Sequence, residues 1–245
     1  MTTDPIKSPC SIVELRQYTL HPGKRERLIE LFDRAFVETQ EAVGMAVMGQ
    51  FRDLDDADRF VWLRGFRDMV NRPKALEAFY GGPVWQAHRD AANATMIDSG
   101  NVLLLRPAWP GSGVSTHELQ RPAPGGVVVT AGMLDASIFY LHQAADDELL
   151  AFCRQSVSPV LTHGGARVLG WYVSETAPNN FPRLPVREGE HVLVGLAMFD
   201  SLPAFNAFVR SGVWSREVQP LLDRWLVRPT EAHRLAATTR SAIQA

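Results

Sequence analysis

Polar and aromatic side chains take alternate positions in two segments that have the composition of β-strands. In SIVELRQYTL (11–20) they are Glu14, Arg16 and Tyr18, and in RFVWLRGF (59–66) they are Trp62 and Arg64. Alternate residues of a strand lie on the same face of a sheet. The pattern therefore predicts that a carboxylate, two guanidiniums, a phenol and an indole lie close together. Glu14, Tyr18 and Arg64 are the candidate catalytic groups among them.

A helical segment near residues 84–95 adds an imidazole to these candidates. Trp85 and His88 share one helical face, because they are three residues apart. A histidine titrates near neutral pH and can act as a general acid or base, so His88 is a fourth candidate catalytic residue. The alternative is a hydrogen-bonded structural histidine.

Several residues are predicted to bind the substrate around the catalytic candidates. They are Arg16, Trp62, Trp85 and, from the strand-like segment MAVMGQFRDL (45–54), Gln50. The structural alternative is that the charged groups form buried ion pairs that fill the interior of the fold. The sequence leaves the ligand pocket and the structural plug both open.

Other kinds of site have no pattern in this chain. Its histidines, cysteines and carboxylates lack the spacing of metal ligands, so we predict no metal site. Gly81-Gly82-Pro83 does not stand between a strand and a helix as a phosphate-binding loop would. No serine lies in a G-x-S-x-G motif. We therefore predict that the protein uses no cofactor.

The chain repeats its own apolar pattern. YTLHPGKRERLIELF (18–32) is answered 121 residues later by FYLHQAADDELLAFC (139–153), with the same helical stripe and different polar residues. Further along, FVWLRGF (60–66) matches LVGLAMF (193–199) at an offset of 133, because the second half has gained 12 residues within 175–190. The repeat is structural, since the candidate chemistry is not copied.

Each half reads strand–helix–strand–strand–helix–strand, the order of a ferredoxin-like unit. We predict a disordered tail (1–10), a first domain (11–107), a Pro/Gly/Ser-rich linker (108–125) and a second domain (126–245) that carries the insertion 175–190. A sheet with helices on one face must bury its other face. The fold class is therefore α+β, with two tandem ferredoxin-like (βαββαβ) halves whose sheets close into a single-chain pseudo-dimeric barrel.

The faces of the strands are assigned from their alternation. We expect Val13, Leu15, Val61 and Leu63 to face the helices, so that the polar residues of the first half point into the barrel. In the second half Gly195 and Ala197 take the places of Trp62 and Arg64 and would leave space there. Trp171 is predicted to bind ligand from that side. Phe181, at the tip of the insertion, is predicted to bind substrate where the insertion covers an opening, and a plain solvent-exposed loop is the alternative.

Segments of the first half resemble the NIPSNAP family. They are E-L-R-x-Y-x-x-x-P-G-K from Glu14 to Lys24, GQFRD (49–53), FVWLRGF (60–66) and GGPVWQAHRDAANATM (81–96). The resemblance is strong over 11–107 and weaker from 126 to about 243. It implies a fold of the dimeric α+β-barrel superfamily and little chemistry. Barrel relatives include cofactor-free monooxygenases, haem-degrading oxygenases and small cyclases.

The composition limits the partners. The 245 residues carry a formal net charge of −2, spread evenly, so the basic surface of a nucleic-acid binder is missing. The longest apolar run is about eight residues, too short for a membrane span. Two cysteines, Cys10 and Cys153, form no disulfide framework. We expect a cytoplasmic protein that is a monomeric pseudo-dimer or a further homo-oligomer.

The function predicted from these observations is an enzyme that needs no metal or nucleotide: an oxygenase, cyclase or isomerase acting on an apolar small molecule. The site is expected once, in the first half. The alternative is a non-catalytic ligand-binding or protein-interaction module, and a haem-binding variant is a third possibility. A pocket of about 300 Å³ or more beside His88 or Arg64 would favour the enzyme. A barrel filled by side chains would favour the module.

Overall fold

A computed structural model describes residues 10–117, 119–126 and 131–244. Residues 1–9 of the predicted tail lie outside the described residues, as do residues 118, 127–130 and 245. In the part of the chain that is described, no helix is both long and apolar enough to cross a membrane.

The described residues form nine strands and eight α-helices. The strands are β1 Ile12–Leu20, β2 Ala46–Asp53, β3 Arg59–Phe66, β4 Met96–Asp98, β5 Val102–Pro107, β6 Met133–Tyr140, β7 Ala166–Ser174, β8 Val192–Phe199 and β9 Glu231–Ala237. The helices are α1 Arg25–Leu31, α2 Val37–Glu41, α3 Asn71–Tyr80, α4 Pro83–Asn93, α5 Asp147–Phe152, α6 Ser158–His163, α7 Leu202–Ser211 and α8 Gln219–Leu222.

Three π-helical turns connect or extend these helices. Phe32–Phe36 joins α1 to α2, and Cys153–Val157 joins α5 to α6, at positions that differ by the same 121 residues as the sequence repeat. Trp214–Val218 leads into α8, which ends in the 3₁₀ turn Asp223–Trp225. Such turns often occur at functional sites.

Eight of the strands close into an antiparallel barrel. Its order is β3-β2-β9-β6-β8-β7-β5-β1, and β1 pairs back with β3 to complete the ring. The short β4 lies beside the end of β1. The barrel has two seams between the halves, β2–β9 and β5–β7. The molecule is thus an α+β fold built around a closed eight-stranded barrel.

Strand pairing inside the two halves follows the same register. Glu14 lies opposite Arg64 in the β1–β3 pair, and Asp135 lies opposite Ala197 in the β6–β8 pair. Each second-half residue is the one that the sequence offsets of 121 and 133 assign to its first-half counterpart. The replacement of an arginine by Ala197 is therefore a replacement at the same place in the sheet.

The face assignment of the strands is wrong. Val13, Leu15, Val61 and Leu63 belong to a cluster that contains apolar residues of both halves and fills the barrel lumen. Tyr18 and Trp62 instead belong to the cluster under the first-half helices. Both faces of this sheet are buried, one by the helices and one by the rest of the barrel, so alternation identifies two faces without telling which is inside.

A bulge in β2 explains a second mistake. Val47 and Phe51 are four residues apart, so strict alternation would place both on one face, but the register of β2 against β3 shifts between Val47 and Gly49. Val47 therefore packs under the helices while Phe51 lies in the lumen. A bulge reverses the alternation of every residue after it.

Each half has its own apolar layer between sheet and helices. In the first half, residues of α1–α4 and of the Phe32–Phe36 turn pack on the outer face of the sheet. In the second half, a separate layer contains Cys153, Trp171 and Phe208. Cys153 is fully buried, and burial raises the pKa of its thiol to about 12. Cys153 is therefore a core residue of this layer.

Candidate active site

Glu14 is bound by three arginines in the layer between the first-half sheet and its helices. Its Oε2 lies 2.6 Å from Arg16 Nη1 and 2.8 Å from Arg64 Nε. Its Oε1 lies 2.8 Å from Arg72 Nε and 2.6 Å from Arg72 Nη2. We call these four residues the arginine–glutamate cluster. All four side chains are at most 1% exposed.

The fold brings the cluster together from three directions. Glu14 and Arg16 are two residues apart on β1 and share a face, while Arg64 lies opposite Glu14 on β3. Arg72 reaches in from the first turn of α3. A buried carboxylate surrounded in this way stays ionised: burial would raise the pKa of Glu14, but Arg64, Arg16 and Arg72 together hold it well below its usual range.

Two tyrosine hydroxyls accept hydrogen bonds from the cluster. Arg16 Nε donates to the Tyr18 hydroxyl at 3.0 Å, and Arg64 Nη1 donates to the Tyr80 hydroxyl at 3.3 Å. Arg64 Nη1 also donates to Gln40 Oε1 at 3.2 Å. Burial raises the pKa of Tyr18 despite the opposing effect of Arg16, so its phenol is protonated at neutral pH.

A cavity of about 250 Å³ lies beside these tyrosines, in the crevice between sheet and helices. Its polar lining consists of Arg16, Tyr18, Tyr80, Asn93, Ser99 and Arg183. Its apolar lining consists of Trp85, Met96, Phe181 and Leu184. A smaller space of about 30 Å³ shares Tyr18, Tyr80, Trp85 and Met96 with it and continues toward Trp62, Phe32 and Phe36. We call the two together the crevice cavity.

Aromatic rings form the walls of the crevice cavity. The rings of Tyr80 and Trp85 lie 4.9 Å apart, edge to face, and Tyr80 lies 6.4 Å from Phe181. Tyr18 and Trp62 meet edge to face at 6.0 Å. Such rings offer flat apolar surface at a low cost in conformational entropy. The cavity therefore suits a flat ligand with a polar end.

The 175–190 loop of the second half covers this first-half crevice. Phe181 is buried in the apolar layer of the first half, 7% exposed. Arg72 Nη1 donates to Asn179 Oδ1 at 3.0 Å and to Asn180 Oδ1 at 2.8 Å. Arg183 forms an exposed ion pair with Glu77 on α3. The loop therefore joins the wall of the crevice cavity to the arginine–glutamate cluster.

Most of the sequence-predicted site residues meet at this place. Arg16, Tyr18, Trp85 and Phe181 line the larger space, and Trp62 lines the smaller one. Glu14 accepts from Arg16 and Arg64, the two arginines that donate to the Tyr18 and Tyr80 hydroxyls. They do so in the crevice, however, and not in the barrel lumen where we expected them.

Three predicted site residues lie elsewhere. His88 is partly exposed on α4 beside Phe36, with 6.3 Å between ring centroids, and it is not among the lining residues. Gln50 contacts Arg121 of the linker at 3.5 Å. Trp171 lies in the second-half layer, where its indole donates to Ser158 Oγ and its ring fills the space over Gly195. The opening expected at Gly195 is therefore filled by Trp171.

Sequence reasoning missed Arg72 and Tyr80, which are both central here. They lie eight residues apart on α3, with the fully buried Leu76 between them, so all three share the helical face that packs on the sheet. An arginine on the apolar stripe of a helix is unusual, because its burial is costly unless it is paired. That position was the signal that could have found it.

The second half has no equivalent of this polar group. Its carboxylate, Asp135, accepts a hydrogen bond from Ser137 at 3.0 Å, and no described arginine forms an ion pair with it. Burial raises the pKa of Asp135 to about 6. Phe139 stands in the place of Tyr18. The two halves share a sheet register but differ in charge, which places the candidate site in the first half.

A different polar group lies at the β2–β9 seam. His233 is 4% exposed, with Nδ1 at 2.8 Å from Asp53 Oδ2 and Nε2 at 3.0 Å from Glu231 Oε1. Burial alone would lower the pKa of His233, but the two carboxylates raise it to about 9. Glu231 also accepts from Tyr140. This chain of hydrogen bonds ties the two halves together.

The residues that the structure describes contain no group of three or more histidine, cysteine, aspartate and glutamate side chains placed to hold a metal ion. The polar groups around the crevice cavity are guanidiniums, phenols and neutral amides or hydroxyls. The guanidiniums among them attract anions and repel a metal cation, and the phenols and hydroxyls can donate to an acceptor.

The sequence of the first half matches the NIPSNAP family model over residues 13–109. This range contains the arginine–glutamate cluster and both cavity tyrosines. Residues 13–109 form a NIPSNAP domain. Among curated proteins, no sequence matches the chain. The NIPSNAP domain supplies all but three lining residues of the larger space, and those three come from the 175–190 loop.

Solved structures similar to the whole chain have the same barrel architecture. One is a proposed monooxygenase from Fusobacterium nucleatum, with a TM-score of 0.58 and 8% identity, which covers 100% of this chain and 97% of that one. Another is a proposed monooxygenase from Lactobacillus acidophilus, with a TM-score of 0.54, 13% identity and coverage of 97% and 100%. A third is an anthrone oxidase-like protein, with a TM-score of 0.56 and 14% identity, which covers 93% of this chain and 91% of that one. At such identities the likeness shows the fold alone.

Proposed function

We propose that the chain is an enzyme that acts on a small molecule in the crevice cavity of its NIPSNAP domain. The observation that carries this proposal is the pair of phenols, Tyr18 and Tyr80, that line the cavity while each accepts a hydrogen bond from a buried arginine. A hydroxyl that accepts a charge-assisted hydrogen bond becomes a stronger donor itself. Both phenols can then donate to one oxygen of the ligand.

Two aligned donors in a buried site stabilise an oxygen that gains negative charge during a reaction. Enolates and phenolates carry such an oxygen, and they are the reactive forms of the substrate in many isomerisations, cyclisations and oxygenations. In this mechanism Tyr18 and Tyr80 donate to the oxyanion, while Arg16 and Arg64 polarise and orient them. The aromatic walls hold the substrate and exclude water. We propose no metal ion, because the guanidiniums beside the cavity repel cations, and no nucleotide, because the sequence has no glycine-rich phosphate-binding loop between a strand and a helix.

Within this proposal an oxygenase is the first reaction type to test. Two of the similar structures are proposed monooxygenases, and the third is an anthrone oxidase-like protein. An ionised phenol or enol is the form that would react with dioxygen as the second substrate. Cyclase and isomerase activity use the same oxyanion and are the next types to test.

The duplicated architecture fits a single site. We infer that the halves are tandem ferredoxin-like repeats, because their strand order and register correspond. The first half keeps the charged groups, and the second contributes the barrel partner and the 175–190 loop. We propose a cytoplasmic monomer or homo-oligomer, which agrees with two buried free thiols at Cys10 and Cys153.

One observation favours a non-catalytic module as the second candidate. The barrel lumen is filled by apolar side chains of both halves, and the crevice cavity is smaller than about 300 Å³, the lower end for typical ligand pockets. A module of this kind would bind small molecules or proteins without converting them.

Turnover of phenols and enolisable ketones tests the proposal. Purified protein is mixed in air with naphthols, hydroquinones and anthrone, while dioxygen uptake and products are followed. We expect catalysed turnover of at least one compound, and a loss of about 10²-fold in kcat for Tyr18→Phe and for Tyr80→Phe. Tyr172→Phe removes a buried phenol far from the cavity and should leave kcat unchanged in folded protein.

Two results would contradict this proposal. Turnover that survives both cavity substitutions would remove the phenols from the mechanism. Binding of the same compounds without any turnover would leave the non-catalytic module as the function.

A further inference from the structure

The charges of the arginine–glutamate cluster do not balance. Arg16, Arg64 and Arg72 contribute three positive charges, and Glu14 contributes one negative charge. Among the described residues, Glu14 is the one carboxylate that forms an ion pair with any of the three. The cluster therefore buries a net charge of about +2, since arginine stays protonated in proteins.

The remaining partners of the cluster are all neutral. Arg16 Nη2 lies 3.4 Å from the Ser99 carbonyl oxygen, and Arg72 Nη1 is shared between Asn179 and Asn180. Arg64 Nη2 is buried and has no hydrogen-bond partner. Buried positive charge without a counter-charge is strongly unfavourable. A bound group with negative charge would lower this unfavourable electrostatic energy.

The groups around the crevice cavity that still lack a partner are donors. The indole nitrogen of Trp62 is buried without a hydrogen-bond partner, and Trp62 lines the smaller space of the crevice cavity. The hydroxyls of Tyr18 and Tyr80 already accept from arginines and have a proton left to donate. The described lining contains two arginines, Arg16 and Arg183, and no carboxylate. A ligand that fits these groups is an acceptor, and its charge is negative.

We propose that the ligand of the crevice cavity is a small organic anion, with a flat apolar body between Trp85 and Phe181 and a carboxylate directed toward Arg16, Tyr18 and Tyr80. This inference rests on the proposed function, because it specifies the substrate class of the same site. Arg16 is the member of the cluster that lines the cavity, so it carries the direct contact with the anion.

Matched pairs of acids and neutral amides test the charge separately from the shape. The pairs are benzoate and benzamide, phenylacetate and phenylacetamide, and 2-naphthoate and 2-naphthamide, titrated by calorimetry at neutral pH. We expect each carboxylate to bind about tenfold or more tightly than its amide. Arg16→Gln should abolish this preference, and Arg16→Lys should keep part of it. Arg89→Gln, which changes an exposed arginine of α4, should leave it intact.

The wild-type comparison needs no variant, so it holds even if Arg16→Gln folds poorly. Equal affinity for acid and amide would overturn the anion while leaving the cavity as a small-molecule site. A carboxylate preference that persists in folded Arg16→Gln would place the anion elsewhere and also overturn the inference. If no pair binds at about 10 mM while phenols are still turned over, the anion fails and the proposed function stands. If neither binding nor turnover is found, both fail.

Discussion

Replacing Glu14 by glutamine should be one of the most destabilising single changes in this protein. The substitution keeps the shape of the side chain and removes the charge that holds Arg16, Arg64 and Arg72 at 2.6–2.8 Å. Removing one partner of a buried ion pair costs about 3–5 kcal/mol, because the other charge stays buried and unpaired. Three arginines depend on this carboxylate, so we expect the free energy of unfolding to fall by about 5 kcal/mol.

The matched control is Asp135→Asn, the same chemical change at the equivalent position of the second half. Asp135 has no arginine partner, and burial raises its pKa from 3.8 to about 6. A carboxyl group with a raised pKa costs stability when it ionises, so its removal should gain up to about 3 kcal/mol at pH 7 and nothing below about pH 4. The two substitutions should therefore change stability in opposite directions.

Urea denaturation followed by circular dichroism measures both effects, with calorimetry as a second readout. For a chain of this size, a loss of about 5 kcal/mol lowers Tm by roughly 10–20 °C. The pKa of Glu14 is depressed, so its contribution is complete above its ordinary value of 4.5 and is lost as the pH falls further. Similar costs for Glu14→Gln and Asp135→Asn, within about 1 kcal/mol, would refute the reasoning.

Two further changes follow from the seam and from the loop. The pKa of His233 is raised from 6.5 to about 9, so its contribution is complete below pH 6.5 and is lost as the pH rises through 9. The free energy of unfolding should fall by about 3 kcal/mol across this window in the wild type, and urea titrations of His233→Gln should show a flat profile there. If the free energy of unfolding falls equally with pH in both proteins, His233 is not the cause of the pH dependence. Phe181→Leu should weaken 2-naphthoate binding about tenfold, whereas Pro182→Ala beside it should not, and unchanged affinity in Phe181→Leu would remove the loop from the site.

The fold was predictable because apolar periodicity and repeat offsets survive in the sequence. Leu28 and Leu149 occupy the same place in two matching helical stripes, and the third strands of the two halves match as well. These matches predict the order of the elements, and the strand pairing in the structure agrees with that order. Backbone geometry depends on the apolar positions, and the sequence has those at matching places in both halves.

The sequence did not show which face of each strand points into the lumen and which points into the crevice. Val13 and Glu14 lie on opposite faces of β1, but both are completely buried. Burial therefore does not show which of the two faces points into the lumen. The bulge after Val47 then reversed the faces within β2. The alternation led us to place the charged residues in the lumen, whereas packing under the helices provides Arg72 and Tyr80 as their partners.

Half of the candidate site depended on contacts between distant segments. Arg72 and Tyr80 lie on the apolar face of α3, and the 175–190 loop crosses from the other half to cover them. His88 looked suitable because of its chemistry and its helical face. It lies beside Phe36 instead, three residues beyond Trp85, which does line the cavity.

The most direct test of the account is a crystal structure of the protein with 2-naphthoate or a compound that it turns over. We predict ligand density between Trp85 and Phe181, with an oxygen within hydrogen-bond distance of the hydroxyls of Tyr18 and Tyr80. Density confined to the second half, among Trp171, Met198 and Trp214, or within the barrel lumen, with the crevice cavity empty, would contradict the central claim.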